Sequence, residues 1–146
     1  MRIGVDSSVV VAAVHANHPY HAVAASWVVD NLRAHELVVA HHSVVEAYAV
    51  LTRLPGDLCV TPSEARDLLR ETVRSNMAVA GLRADSVWTL IESLVASSVA
   101  GGRSYDALIA QALVTHGAPA IATFNPSHFR GLAGDVAVID PSRPGA

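Results

Sequence analysis

The chain begins Met1-Arg-Ile-Gly-Val-Asp6-Ser-Ser-Val-Val-Val-Ala12, and the fold turns on how this stretch is read. Residues 3–5 read as a short buried strand. Asp6 stops it, and Ser7, Ser8 and the apolar run behind them open a helix. A strand that ends on Asp and turns straight into a helix puts one carboxylate at the carboxyl edge of a sheet. In open α/β sheets ligands bind at that edge. Asp is also a preferred N-cap, and on this stretch alone capping is the simpler reading. The choice depends on whether other acidic residues reach the same edge.

The 146 residues suit one domain, spanning 1–146, with a core of useful size. Hydrophobic residues make up 51% and charged residues 16%, which fits strands buried on both faces of a parallel sheet. The formal net charge of −3 gives no general attraction to polyanions, so a nucleic-acid partner would need a local patch. All 10 basic residues are Arg. A single cysteine, Cys59, rules out a disulfide framework and a Cys-based zinc site. Asp6 interrupts the apolar N-terminus, unlike a secretory signal, and no stretch has the length and apolarity of a membrane span. A soluble, cytoplasmic protein is expected, with no membrane partner.

Periodicity predicts helices over 8–16, 20–34, 43–54, 62–75, 85–99 and 104–116, and strands over 3–5, 37–40, 118–123 and 136–139, with 77–80 a short apolar piece in extended form. Thr61-Pro-Ser-Glu64 has the form of a capping box with Pro at the first helical position. In the helix over 85–99, Val87, Trp88, Ile91, Leu94 and Val95 are expected to face inward, and Trp27, Trp88 and Tyr48 to be core, with lining of the groove the alternative for Tyr48. Asn125-Pro126 reads as a turn, and 141–146 as a frayed tail. Strands alternating with helices imply an α/β fold, a parallel sheet covered by helices on both faces.

In that layout three more polar residues come near Asp6. Glu46 lies one turn into the helix after the second strand, Asp106 in the first turn of the helix opened by Ser104, and Asn125 just past the third long strand. Each has a local alternative. Ser43-Val-Val-Glu46 spells a capping box; Asp106 would favour the positive end of its helix; Asn125 before Pro126 is an ordinary turn former. These alternatives do not account for three carboxylates all falling after strands. Clustered carboxylates repel unless a cation compensates, and all-oxygen ligation suits Mg²⁺ or Mn²⁺. Such an ion supports displacement at phosphorus.

Val-Asp6-Ser-Ser, Glu46, Ser-Tyr-Asp106-Ala-Leu-Ile-Ala and Thr123-Phe-Asn125-Pro-Ser-His-Phe129, in this order, resemble the PIN-domain ribonucleases, and among them the VapC toxins of bacterial toxin–antitoxin pairs. The resemblance runs from Ile3 to about Ile139. It implies a PIN-like α/β/α sandwich, Mg²⁺- or Mn²⁺-dependent endonucleolytic cleavage of structured RNA of the tRNA or rRNA class, a homodimer, and a VapB-like antitoxin that blocks the site. It carries catalytic roles onto Asp6, Glu46, Asp106 and Asn125, with Asp6, Glu46 and Asp106 as the metal-holding carboxylates. Ser8 and Thr123 take supporting positions. Asn125 stands where the family often has Asp and can ligate only through a neutral oxygen; His128 likewise replaces a usual Asp.

Arg103, just before Asp106, is a candidate RNA-phosphate contact. Arg66, Arg70 and Arg74 share one helix face, but the interleaved Glu64, Asp67 and Glu71 favour a solvated face with local ion pairs. His15, His18 and His21 around Pro19 read as an exposed polar loop, and His41-His42 as a turn near the site. Two rival functions remain at this stage. A phosphatase of the haloacid-dehalogenase type also starts with a strand ending in Asp, but needs a second Asp where Ser8 stands and a downstream Lys, which the chain lacks. A PIN-like binding module without catalysis is the other.

Overall fold

The computed structural model describes all residues except Ala133, Asp135, Pro144 and Ala146. Its five strands are β1 (Arg2–Val5), β2 (Glu36–Ala40), β3 (Ala78–Ala80), β4 (Ala120–Ala122) and β5 (Ala137–Ile139). They form one parallel sheet in the order β3-β2-β1-β4-β5. The helices are α1 (Ser7–Val14), α2 (His21–Leu32), α3 (His41–Leu51), α4 (Pro62–Leu69), α5 (Val87–Ala96), α6 (Arg103–Thr115) and the short α7 (Pro126–Phe129). The chain builds β1, β2 and β3 outward to one side, then returns to place β4 and β5 on the other side of β1. The order therefore reverses at β1 and β4, the point where open α/β sheets form their binding crevice.

Strand alternation divides the core into two layers. Ile3, Val5, Leu37, Val39 and Ala122 face one apolar cluster with α1, α2, α3 and α4. Val38, Ala40 and Ile121 face the other with α6 and α7. Leu37, Ile109, Leu113 and Ile121 are fully buried, and burying a side chain of that size contributes about 1.5–3 kcal/mol. Gly4 has a packing reason: a Cβ there would sit 2.7 Å from Leu113 Cδ1 and 3.2 Å from the Ala120 carbonyl. The missing side chain lets α6 close onto the sheet next to Asp6.

Thr61 caps α4 as its sequence predicts: its hydroxyl accepts from the Glu64 amide, and Glu64 accepts from the Thr61 amide. After Leu69 the helix widens into a π-turn, Arg70–Arg74, whose loosened carbonyls are taken up by Ser75 and Asn76 side chains. The apolar 77–80 piece is the edge strand β3.

Several expectations are corrected. The helix over 85–99 is shorter, and it turns a different side to the core. Leu90 is buried and Leu94 packs against the second cluster, whereas Trp88 is 74% exposed and Val87, Ile91 and Val95 are also exposed. The helix is apolar on more than one side, so periodicity could not choose the covered face. Tyr48 is also exposed rather than core; Trp27 packs against the first cluster as expected. Tyr48 lines, with Val45, Leu69 and Val73, an apolar groove rimmed by Arg66, Arg70 and Arg74. Arg66 pairs with Asp67 at 2.8 Å, as the charge pattern suggests.

The segment between α1 and α2 is a loop with Ala16, Asn17 and Pro19 exposed, as expected, but its histidines are not exposed. His15 is buried; its Nδ1 accepts from the Asn17 amide, so Nε2 carries the proton and donates to the Leu58 carbonyl at 2.7 Å. His21 bonds the Ala12 carbonyl at the end of α1. His41 and His42 open α3 instead of forming a turn, and Asn125-Pro126 leads into α7. Of the tail expected to fray, Pro144 and Ala146 lie outside the described residues; Pro141 is buried, and Asp140 accepts from the Ser142 amide and hydroxyl.

Candidate active site

Asp6 ends β1 and occupies the N-cap position of α1, yet its carboxylate makes no capping bond. The side chain is 5% exposed. Its Oδ2 accepts from the Ser8 hydroxyl at 2.8 Å and from the Thr123 hydroxyl at 2.9 Å. Each hydroxyl in turn accepts a backbone N–H from the segment after β4: Phe124 to Ser8 at 3.1 Å, and Asn125 to Thr123 at 2.9 Å. Two hydroxyls thus fasten the loop after β4 to the carboxylate at the end of β1. Among the described residues, Asp6 Oδ1 has only the Ser7 hydroxyl within hydrogen-bonding distance, at 3.5 Å. A buried carboxylate with one oxygen satisfied and the other open is suited to a cation or a polar ligand.

Glu46 reaches the same place from α3, although its sequence suggests otherwise. That helix starts at His41 after Ala40, so Ser43 falls inside it, and the buried Ser43 hydroxyl has no partner among the described residues. The capping box over 43–46 does not form. Glu46 Oε1 instead accepts from the Ser7 hydroxyl across the site, and Oε2 lies 3.8 Å from His42 Nε2. Ser7 is the one carboxylate-holding residue that sequence reasoning passed over, and its signal was the second hydroxyl beside Ser8.

Asp106 enters from the first turn of α6. Its Oδ2 lies 3.7 Å from His128 Nδ1 of α7. Partial burial, more than any other influence, holds its carboxyl above the ordinary value; His128 and Arg103 oppose this, and the negative charges of Asp6 and Glu46 add to it. The three carboxylates therefore sense one another across the crevice.

Two clefts meet there, and both are lined by Glu46. One, about 510 Å³, has Arg103, Asp106, Ser127 and His128 around it. The other, about 350 Å³, is lined by Ser7, Ser8, His18, Tyr20, Phe124 and Asn125 among others. Arg103 anchors one guanidinium nitrogen on the Arg130 carbonyl at 2.6 Å and stands at the rim. Asn125 is exposed, with its amide N–H tied to Thr123. Ser8, Glu46, Asn125, Arg103 and Asp106 line these clefts; Asp6 and Thr123 are buried, line neither, and join the site through hydrogen bonds with Ser8 and each other.

Residues 3–134 match the PIN domain family. The chain belongs to that family. Within it, the similarity is to VapC proteins. Ribonuclease VapC27 of Mycobacterium tuberculosis is 32% identical over 114 residues, 78% of either chain. Ribonuclease VapC40 of the same species is 35% identical over 107 residues, 73% of this chain and 75% of that one. Solved structures share the PIN fold. VapBC2 of Rickettsia felis, bound to a DNA fragment from their promoter, superposes with a TM-score of 0.69 at 13% identity, over 94% of this chain and 97% of that one. VapC20 of M. tuberculosis, described as a sarcin–ricin loop cleaving toxin, gives 0.62 at 19% identity over 82% of this chain and 86% of that one. At such identities the likeness concerns the fold alone. No helix among the described residues of this PIN domain is long and apolar enough to cross a membrane.

The carboxylates fit a hard divalent cation by their chemistry: they supply anionic oxygen and nothing softer. Among the described residues no three His, Cys, Asp or Glu side chains come close enough to hold one ion unaided. Mg²⁺ does not require that, because it keeps several waters and binds through one or two carboxylates together with substrate phosphate.

Proposed function

We propose that this VapC-type protein is an endoribonuclease toxin that cuts structured RNA, of the transfer or ribosomal class, with Mg²⁺ or Mn²⁺. The observation that supports this best is the arrival of Asp6, Glu46 and Asp106 from three separate elements at the point where strand order reverses. The ion, when bound, supplies charge neutralisation at the phosphate and an activated water.

The chain's own residues supply position. Asp6 is fixed by Ser8 and Thr123, and Glu46 by Ser7, so neither carboxylate must reorganise when an RNA phosphate arrives. Asp106 faces them from α6, with partial burial holding its carboxyl above the ordinary value. Asn125 adds a neutral oxygen or an amide donor at the second cleft, and Arg103 a guanidinium for a phosphate beside the first. An acidic crevice of this kind complements an Arg-bearing segment of a VapB-like antitoxin, which would occupy the place of substrate.

The reaction is tested by incubating the purified protein with transfer and ribosomal RNA and Mn²⁺ or Mg²⁺. Cleavage leaving 5′ phosphates is expected, and EDTA is expected to stop it. Equal cutting in EDTA would remove the metal from the reaction; no cutting with either ion would favour a binding module.

The exposed stripe of Val87, Trp88, Ile91 and Val95 on α5 supports a homodimer, since contiguous apolar surface of this kind marks interaction sites. Trp88→Glu is expected to give a monomer by light scattering. The change should leave the folded monomer nearly as stable, within about 0.5 kcal/mol, because Trp88 has no core role to lose. A dimer that survives Trp88→Glu would place the interface elsewhere.

A further inference from the structure

His15, His18 and His21 recur at every third residue, and the structure gives that spacing a use. Between α1 and α2 the chain makes two turns of the same kind. In the first, the His15 carbonyl accepts the His18 amide at 3.0 Å, and His15 Nδ1 accepts the Asn17 amide at 3.1 Å. In the second, the His18 carbonyl accepts the His21 amide at 2.9 Å, and His18 Nδ1 accepts the Tyr20 amide at 3.0 Å. Each imidazole stands in for the Asn or Asp side chain that commonly takes the amide two residues on. His15 Nε2 ties this strap to the Leu58 carbonyl at 2.7 Å, and His21 Nδ1 ties its far end to the Ala12 carbonyl at 2.9 Å. The strap carries Tyr20, whose ring stacks on Phe124 with centroids 4.9 Å apart and planes inclined by 18°. His18, Tyr20 and Phe124 form part of the wall of the smaller cleft, with Glu46 and Asn125.

From this geometry we propose that residues 15–20 are a pH-operated latch on the smaller cleft, closed while His15 and His18 are neutral and released when acid charges them. The proposal goes beyond the nuclease reading, because it concerns the wall of the cleft and not what the cleft binds. A ring nitrogen accepts a backbone N–H only in the neutral imidazole; in the charged ring both nitrogens are donors. Protonating His15 therefore sets its Nδ1–H against the Asn17 N–H, and protonating His18 does the same at Tyr20. The bonds to the Leu58 and Ala12 carbonyls survive charging, so acid removes the acceptors within the strap and leaves its ends attached. Few charged groups face it. Burial, and after it the charges of His15 and His21, hold the His18 ring below the ordinary histidine value. Helix α1 brings no titratable side chain, and the segment after β4 brings Phe124 and Asn125, which do not titrate. Helix α3 brings Glu46, the one acid among the residues lining this cleft, and the 56–58 turn brings the exposed Asp57 beside Leu58. Among the described residues the His15 ring bonds to Leu58 and Asn17, and to none of the three carboxylates. A histidine held below its unfolded value contributes stability above that value and loses it as pH falls through the folded one. The latch is therefore closed at neutral pH and opens in acid.

The test is nuclear magnetic resonance on the full chain, at about pH 7.5 and about pH 5, on either side of the range where histidine charges. At the higher pH the ring nitrogen shifts of His15 and His18 should show a proton on Nε2 alone. The Asn17 and Tyr20 amides should exchange slowly, and the Tyr20 and Phe124 rings should show mutual Overhauser contacts. At the lower pH both amides should lose protection by roughly three- to tenfold after correction for the intrinsic rate, the scale of one hydrogen bond. The ring contacts should weaken in step with the titration, while the amides of β1 and β2 keep their protection. His18→Asn separates charge from shape: its side-chain oxygen still accepts the amide two residues on and cannot be charged away. In that variant the Tyr20 amide should stay protected in acid while the Asn17 amide, still served by His15, is released. Charged rings with both amides still protected would overturn the proposal. So would a Tyr20 amide released in acid in His18→Asn as in the parent, or β1 amides released together with the strap. The measurement uses neither RNA nor metal, so a failed latch leaves the nuclease reading standing, and a protein that cuts no RNA leaves the latch standing.

Discussion

Asp106→Asn should lower RNA cleavage by about 10²–10³-fold, the scale set by removing one preorganised electrostatic contact from an active site, while leaving the metal-free protein as stable as the parent or more so. The sign follows from the surroundings of the carboxyl. Burial and, after it, the charges of Asp6 and Glu46 outweigh His128 and Arg103 and hold the folded value above the ordinary one. A carboxyl raised in this way contributes stability below its unfolded value and loses that contribution as pH rises through the folded value. At neutral pH the ionised side chain therefore weighs against the fold, and the neutral amide removes the burden. The same variant should show a smaller rise in melting temperature on adding Mn²⁺, because that rise reports the affinity of the native state for the ion. A residue serving only the dipole of α6 would behave in the opposite way. Its loss would cost about 0.3–1 kcal/mol, lower the melting temperature by roughly 1–4 °C, and leave cleavage near the parent rate. Melting curves in EDTA and in Mn²⁺, taken with RNA cleavage rates, separate the two outcomes.

Thr123→Val is expected to damage both stability and activity although it changes the shape of the side chain very little. Thr123 is fully buried; its hydroxyl donates to Asp6 and accepts the Asn125 amide. Valine leaves a buried carboxylate oxygen short of one donor and a backbone N–H without an acceptor. Unsatisfied groups of this kind cost about 1–3 kcal/mol, which for a chain of this size is a fall of roughly 3–10 °C. Cleavage should drop by about 10- to 100-fold, the usual effect of losing an outer partner of a metal-site ligand. Thr123→Ser keeps the hydroxyl and should restore most of the activity. A valine variant that melts and cuts like the parent would mean that Ser8 alone suffices to hold Asp6.

The expected positions of Asp6, Glu46 and Asp106 followed from local pattern, because short loops after buried strands leave little choice about where the next residue lies. Partnerships were less legible. Ser43-Val-Val-Glu46 carries a good capping signal, but α3 begins two residues earlier, after Ala40, and Ser7 takes the Glu46 side chain instead. Here a tertiary hydrogen bond displaced a local one. His15 looked like loop because Pro19 follows it closely, whereas the Leu58 carbonyl gives its ring a buried partner far along the chain. On α5 the spacing of apolar residues was read correctly as helical, but the covered side is fixed by where α6 lies, and the opposite side with Trp88 stays bare.

By itself the sequence determined a parallel α/β sheet with carboxylates at its carboxyl edge, because strand and helix periods, turn residues and short connections are local properties of the chain. Tertiary structure alone decided that Thr123 and Ser8 share one oxygen of Asp6, that Ser7 reaches Glu46, and that Tyr20 meets Phe124 while His42 meets Tyr105. The physical reason is that β1 lies between β2 and β4. That order brings the ends of segments distant in sequence within hydrogen-bonding and stacking range, and no local pattern encodes which side chains then touch.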